Sequence, residues 1–487
     1  MNNRIPFPVA ARQPPLRRVS LAAVLALSLS ACAHLSSPPD HADSSGALPV
    51  VPPQWTAAPA AEGMAATTLT QWWQRFNDPS LTTLVTQALQ ANPGVRSAQA
   101  ALLQARAQRD VQQANNGPSL SASGSAQRSR SGSADASSRF QAGFDASWEP
   151  DVFGGNRARL DASEAEARAS ETSLADVQVS LAAEVAASLI ELRGLQSRLD
   201  IAQRNLAAQS ETLQITRWRV QAGLASSLDL EQAIAAQAQT QAQIPALQAS
   251  LAQARNALSV LTGQAPGALD ATLGAVAPVP QPPADIALSL PAETLRQRPD
   301  VRTAEHRISA ALARVAVADA ARYPSFRLGG SLGLSALTLG TLTDGASVVR
   351  SLLASVSAPL LDGGAAKAQV RAQEAALEQA RASYASTVLT ALQDVEDALV
   401  AIQGDRERLA RLQTAAEAAV NAELLARQRY QSGLIDFRTV LDTQRTLLSA
   451  QDSVASAQAS LATGHVRLYK ALGGGWTPDT AAPSAAR

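Results

Sequence analysis

Leu89-Gln-Ala-Asn-Pro93-Gly-Val95-Arg96-Ser-Ala98 is followed 206 residues later by Leu295-Arg-Gln-Arg-Pro299-Asp-Val301-Arg302-Thr-Ala304. Pro118 and Pro324 keep that offset. Pro150-Asp-Val-Phe-Gly154-Gly155 meets Pro359-Leu-Leu-Asp-Gly363-Gly364 at 209, and Arg217-Trp-Arg219-Val-Gln221-Ala-Gly223-Leu224 meets Arg427-Gln-Arg429-Tyr430-Gln431-Ser-Gly433-Leu434 at 210. Leu261-Thr-Gly263 meets Leu472-Gly-Gly474 at 211. So steady a registration over nearly 200 residues marks a tandem duplication. It divides the chain into a leader (1–31), an extended Pro/Ala/Ser-rich arm (32–66), repeat 1 (67–276), a Pro-rich linker (277–289), repeat 2 (290–475) and a tail (476–487).

Within each copy the hydrophobic period changes twice. Pro93 to Gly117 reads as a helix, with Pro in its first turn and Gly-Pro at its end. Two stretches of period two follow. Phe140, Ala142, Phe144, Ala146 and Trp148 share one face and Gln141, Gly143, Asp145, Ser147 and Glu149 the other; Phe326, Leu328, Leu332 and Leu334 oppose Arg327, Ser331 and Ser335. Ser119–Arg128 and Val348–Ala358 alternate less strongly. After Gly155 and Gly364 come very long helical patterns. In the first, Leu192, Leu199, Leu206, Leu213 and Val220 repeat every seven residues, which predicts a coiled-coil seam. Gly223 and Gly433 break these helices.

Length makes the main physical argument. Gly155 to Gln221 covers about 100 Å as a helix, Ser227 to Leu261 about 52 Å and Pro93 to Asn116 about 36 Å at 1.5 Å per residue. The two short helices laid end to end nearly equal the long one. Each copy therefore supplies two matched columns, one continuous and one spliced. The strands, of ten to twelve residues, are long enough to cross a bilayer when tilted. After the leader we find no apolar run of about 18 residues, so a closed barrel is the expected way to span. Four strands cannot close one. A dimer supplies about eight strands and a filled interior, a trimer about twelve and a lumen, so transport favours the trimer.

Composition agrees with extended helices. Aromatic residues make up 3% and hydrophobic residues 46%, with alanine the largest share, which permits close helix approach but fills a thick core poorly. With 41 basic and 41 acidic residues the net charge is zero, leaving no electrostatic footprint for nucleic acid. Arg17 and Arg18 precede an apolar run, Val19 to Leu29, of signal-peptide length. The single cysteine follows in Leu29-Ser30-Ala31-Cys32, similar to the bacterial lipoprotein box, in which the thiol carries a diacylglyceryl group and the new N-terminus an acyl chain. Two such anchors suffice for stable membrane attachment.

The chain resembles the outer-membrane factor family (TolC/OprM-like), particularly its NodT-type lipoprotein branch. The resemblance rests on Trp72-Trp73-Gln-Arg-Phe76-Asn-Asp78-Pro79-Ser-Leu81, Asn92-Pro93, Trp148-Glu149-Pro-Asp151-Val-Phe153-Gly154, Gly223-Leu-Ala-Ser-Ser-Leu228-Asp229-Leu230 and Tyr430-Gln-Ser-Gly433. It implies a mainly α protein with a membrane β-barrel: a homotrimer whose 12-strand barrel is continued by a long periplasmic α-helical barrel. It also implies a lipid-anchored outer-membrane protein that docks to a periplasmic adaptor and an inner-membrane pump, most often of the resistance-nodulation-division class. Asp436 and Asp442 match acidic gate positions and Tyr430 a gate tyrosine. A gate arginine is replaced by Ile435, so the gate is ionic or is a hydrophobic constriction by Leu434 or Ile435. Ala222-Gly223-Leu224 and Ser432-Gly433-Leu434 are the expected adaptor contacts, with mere helix termination the alternative for the glycines. Only the second tip, Ile435-Asp436-Phe437, offers an acidic residue beside the turn, against Ala225-Ser226-Ser227 in the first.

The expected function is a trimeric exit duct for drugs or other small molecules; the exit duct of a type I protein secretion system is the alternative. Only two methionines argue against soft-metal export. No catalytic or metal constellation is visible: His34, His41, His306 and His465 are scattered, and Gly473-Gly474-Gly475 reads as a helix stop.

Overall fold

The structure is a computed structural model that describes residues 51–56, 69–282 and 291–477. Cys32, the leader, His34, His41 and parts of the arm, linker and tail lie outside the described residues. A turn of 3-10 helix, Trp72–Phe76, precedes the first α-helix. Copy 1 then runs α1 (Pro79–Ala91), α2 (Pro93–Asn115), β1 (Ser119–Ser129), β2 (Ser137–Trp148), α3 (Gly155–Gln221) and α4 (Ser227–Leu261), followed by a short α5 (Asp270–Leu273). Copy 2 repeats this order as α6 (Pro291–Gln297), α7 (Pro299–Ala320), β3 (Ser325–Ala336), β4 (Val348–Ser357), α8 (Ala365–Gln431) and α9 (Phe437–Ala471). Both long helices have 67 residues and both returning helices 35.

The boundaries follow from local chemistry. The orphan N–H groups at the start of α3 meet the Asp151 carboxylate, which accepts from Asn156 N at 3.1 Å and Arg157 N at 2.7 Å. Asp362 does the same for α8, accepting from Gly364 N at 2.9 Å and Ala366 N at 2.8 Å. Pro245 does not end α4, which continues through it.

The spliced columns have an explicit joint. Asn92 caps α2 by accepting from Gly94 N at 2.7 Å, and its Nδ2 donates to the Leu261 carbonyl at the end of α4 at 2.8 Å. In copy 2 the equivalent Arg298 donates through Nη1 to the Ala471 carbonyl at the end of α9 at 2.9 Å. Arg298 is further held by Asp300 at 2.7 Å and Asp394 at 3.1 Å. The chain turns away from each joint at a glycine with positive φ, Gly263 and Gly473 (both 73°), and a Cβ on Gly263 would lie 2.5 Å from the Ala91 carbonyl oxygen. Only glycine fits this approach.

The main core surrounds these joints and the middle of the long helices. The Trp72 ring stacks on Tyr469 at 5.2 Å, and Trp73, Phe76, Leu81, Val85, Leu189, Leu258 and Leu472 close around them. The linker contributes too. Val279 is buried in this core, while Arg193 donates to the Ala275 carbonyl at 3.0 Å and Gln196 to that of Leu273 at 2.9 Å. Val279 and Pro280 are both buried, so the start of the linker is packed against the helices.

The four strands form one antiparallel sheet in the order β1-β2-β3-β4. Its register sorts two faces. Leu120, Ala146, Gly330 and Leu352 lie in one row, and Ala122, Phe144, Leu332 and Arg350 in another, so one face is apolar except near the end remote from the helices. The opposite face carries the β1 serines 119, 121, 123, 125 and 129 together with Gln141, Asp145, Arg327, Ser331 and Ser355. At the helix-proximal end Phe153, Tyr323 and Phe326 stack at 4.9 and 6.4 Å, an aromatic girdle.

Two expectations need correction. The heptad leucines of α3 are unequally used: Leu192 and Leu213 are buried, but Leu199, Leu206 and Val220 are half-buried. Ile201, Asn205, Gln209 and Thr216 are buried instead, because α3 packs between two helices and its contact face drifts at 3.6 residues per turn. One stretch of α3 also reaches a mean hydropathy of 1.4, high enough for a membrane span by composition. Half of it is buried, Val185, Leu189 and Ile190 among it, so it is helical core.

The joints should differ in strength. Asn92→Ala removes a neutral cap and should cost about 1–2 kcal/mol, whereas Arg298→Ala removes charge-assisted bonds and should cost about 2–3 kcal/mol. Denaturant titration of the solubilised protein checks this, and equal losses would contradict an unequal clamp.

Candidate functional site

The tips of the α3–α4 and α8–α9 hairpins are built alike. Gly223 N donates to the Val220 carbonyl at 3.0 Å and Leu224 N to that of Arg219 at 2.7 Å; Gly433 N and Leu434 N repeat this on Tyr430 and Arg429 at 3.0 and 2.9 Å. These are Schellman closures, and the positive φ values of 72° and 74° at Gly223 and Gly433 explain the glycines. Each turn leaves a leucine in solvent, Leu224 at 70% and Leu434 at 74% exposure.

The next helix is started in two chemically swapped ways. In tip 1 the Ser226 hydroxyl accepts from Asp229 N at 3.2 Å while the Asp229 carboxylate accepts from Ser226 N at 3.1 Å, a reciprocal capping box. In tip 2 the carboxylate stands at the cap itself: Asp436 accepts from Thr439 N at 2.9 Å and from Thr439 Oγ1 at 2.5 Å. Those bonds hold the Asp436 carboxyl below its ordinary range. Tip 1 therefore has its own carboxylate, Asp229, three residues beyond the position corresponding to Asp436. At the cap position itself, beside the turn, the carboxylate stands in tip 2 and a serine in tip 1.

Beneath the tips, Leu213, Ala233, Phe437, Val440 and Leu441 form a small core against which Ile435 and Tyr430 pack. Ile435 is half-buried there, so of the two constriction candidates only Leu434 stands free. Tyr430 lies 5.3 Å from Phe437 between ring centroids. The Arg219 guanidinium sits 4.5 Å above the Tyr430 ring, a cation–π contact from one hairpin to the other. Burial raises the Tyr430 pKa. Arg219 was missed in the sequence; its signal was its place in the repeated Arg-x-Arg motif. Asp442 is on the exposed side of α9 between Arg438 at 3.8 Å and Arg445 at 3.6 Å, a loose surface pairing.

Above the small core, the two hairpins are joined by a polar ladder. Gln444 donates to Thr212 at 3.0 Å, Asn205 to Gln451 at 3.0 Å, and Arg198 pairs with Asp452 at 2.7 Å. Thr212, Asn205 and Arg198 are seven residues apart along α3. Water can replace such contacts as the helices part, which it cannot do for an apolar seam. Higher up, His465 is buried, with its Nδ1 on the Leu461 carbonyl at 2.8 Å and Arg406 beside its other nitrogen. Burial lowers its pKa. Among the described residues no group of His, Cys, Asp and Glu has metal-binding geometry.

Residues 84–264 and 290–474 match the outer membrane efflux protein family, one segment in each copy. The chain belongs to this family. Similar proteins include the outer membrane protein OprJ of Pseudomonas aeruginosa, 31% identical over 93% of this chain and 95% of OprJ. The pyoverdine export outer membrane protein OpmQ of Pseudomonas putida is 33% identical over 94% of this chain and 97% of its own length. The solved structure of the outer-membrane channel OprN superposes with a TM-score of 0.80 at 36% identity, covering 88% of this chain and all of that one. This efflux protein is thus an outer-membrane channel component, a helical barrel domain with a β domain, whose helices extend into the periplasm.

Membership puts the two tips at the periplasmic end, away from the sheet. There the cap role of Asp436 can be separated from its charge. Asparagine caps a helix about as well as aspartate, so Asp436→Asn should keep most of the thermal stability, losing only the part that needs the charge, while altering the cation dependence of conductance in planar bilayers. Asp436→Ala should lower stability as well. The stabilisation from the lowered pKa is present above the ordinary carboxylate value near 3.8 and is lost as pH falls through the folded value, so it operates fully at neutral pH. If Asp436→Asn conducts like the parent at every cation concentration, Asp436 is a cap only.

Proposed function

We propose that this efflux protein is the trimeric exit duct of a tripartite pump, carrying drugs or other small molecules from an inner-membrane transporter and a periplasmic adaptor to the outside. The observation that carries the reading is the four-stranded sheet with two unpaired edges, one apolar face and one face rich in serine. Unpaired edges in a bilayer are prohibitively costly, so the sheet must close with copies of itself. Three copies give about twelve strands and a lumen lined by the polar face. The name of OpmQ, a pyoverdine export outer membrane protein, supports small-molecule export without fixing a substrate.

Under this reading the tips are the periplasmic mouth. Leu224 and Leu434 with Gly223 and Gly433 meet the adaptor, which collects substrate from a pump of the resistance-nodulation-division class. Three Asp436 side chains around the axis repel one another and attract cations. Tyr430 and Leu434 narrow the same opening, with Asp442 outside it. Ile435 supports the opening from the small core instead of lining it. Opening separates the hairpins along the polar ladder, where water takes over the hydrogen bonds. The protein works by conduction, without catalysis or cofactor. Cys32 carries the diacylglyceryl and N-acyl anchor that holds the arm to outer-membrane lipid.

Deleting the gene should raise susceptibility to several unrelated compounds by severalfold, and the chain restored from a plasmid should reverse this. Unchanged susceptibility with loss of one secreted protein would overturn the efflux reading in favour of protein secretion. Cys32→Ala should abolish the lipid-sized mass increment of the mature N-terminus.

A further inference from the structure

The apolar face of the sheet is interrupted by charge at two described strand positions. Arg128 is the tenth residue of β1 and Arg350 the third of β4. Arg128 pairs with Ser138 and Arg350 with Leu332, which places both arginines on the face shared by Phe140, Phe144, Leu328 and Leu352. Both are exposed, and neither makes a hydrogen bond or ion pair among the described residues. Arginine on a lipid-facing wall costs about 2–4 kcal/mol at mid-bilayer but about 0–1 near the interface. Both lie close to the strand ends remote from the helices, at the extracellular rim.

They also occupy the two edge strands. When β4 of one protomer pairs with β1 of the next, the strand ends come level with Ser119 beside Ser357 or, one residue along, with Ser129 beside Val348. Alternation of faces then allows two registers, with Arg128 opposite Val348 or opposite Arg350 of the partner. The arginines are about 5 Å apart at Cα in the second and about 7–8 Å in the first. Like charges so placed destabilise a sheet unless an anion lies between them. Two guanidinium forks facing outward at headgroup level suit a phosphate, which arginine binds in bidentate fashion. The outer leaflet of a Gram-negative outer membrane presents phosphates there, on lipid A.

We propose that Arg128 of one protomer and Arg350 of the next form a seam site for the phosphate of an outer-leaflet glycolipid, three sites per trimer. The site exists only in the assembly and so rests on the trimeric reading above. The bound phosphate offsets the repulsion of the paired arginines and ties the lipid to the seam.

Native mass spectrometry of the full-length detergent-solubilised protein tests this with bis-phosphorylated lipid A and with the same lipid stripped of phosphate. The parent trimer should take up to three phosphorylated lipids, with at least tenfold preference over the stripped form. Arg128→Gln and Arg350→Gln should each abolish the preference, while Arg327→Gln, on the polar face, should keep it. Equal binding of the two lipids, or a preference that survives in both edge variants, overturns the site. The same spectra report the assembly: absence of a trimeric mass in the parent would overturn the trimer, and a trimer without lipid preference only the site.

Discussion

Two carbonyl groups, those of Leu261 and Ala471, set the constraint on which the columns depend. Each ends a 35-residue helix where a second helix must begin, and helix ends leave carbonyls and N–H groups without partners. A 67-residue helix satisfies its backbone internally over its whole length. A column spliced from two helices does not, and the joint lies against the most buried part of the molecule. Asn92 and Arg298 resolve this with one side chain each, bonding the carbonyl behind them at the point where the new helix starts. Gly263 and Gly473 then let the outgoing chain clear the joint. The matched column lengths, and with them the common level of the tips and of the strands, follow from these joints.

Helix and strand spans were legible because they are punctuated by residues with one physical use. Glycine ends α3 and α8 at positive φ, aspartate starts them after a Pro-containing turn, and alternation marks the strands. The burial pattern was less legible. A heptad of leucines points to a single partner, yet α3 lies between α4 and α9, so Leu199 and Leu206 are shared between partners while Asn205 and Gln209 are buried. Contacts of this kind depend on neighbours more than 200 residues away, as Asn205 with Gln451. The same is true of Arg219 over Tyr430. The half-burial of Ile435 was not legible either, because it depends on Phe437 and Leu441 packing across the tip.

The duplication also explains why the two halves are not interchangeable. At the joint a neutral amide in copy 1 corresponds to a guanidinium in copy 2, held by Asp300 and Asp394. At the tip the same cap is made from the same two chemistries in exchanged places. Ser226 caps and Asp229 reciprocates in copy 1, whereas in copy 2 Asp436 caps and Thr439 gives both its backbone N–H and its hydroxyl to that one carboxylate. Both arrangements satisfy the N-terminal amides, so helix initiation alone does not choose between them. What differs is where the negative charge stands. In copy 1 it is in the first turn of the returning helix, and in copy 2 it is at the turn itself, next to the exposed Leu434. Two tips of one backbone geometry thus carry their carboxylates about one helical turn apart, and in a closed ring of alternating copies that offset makes two tiers of charge instead of one.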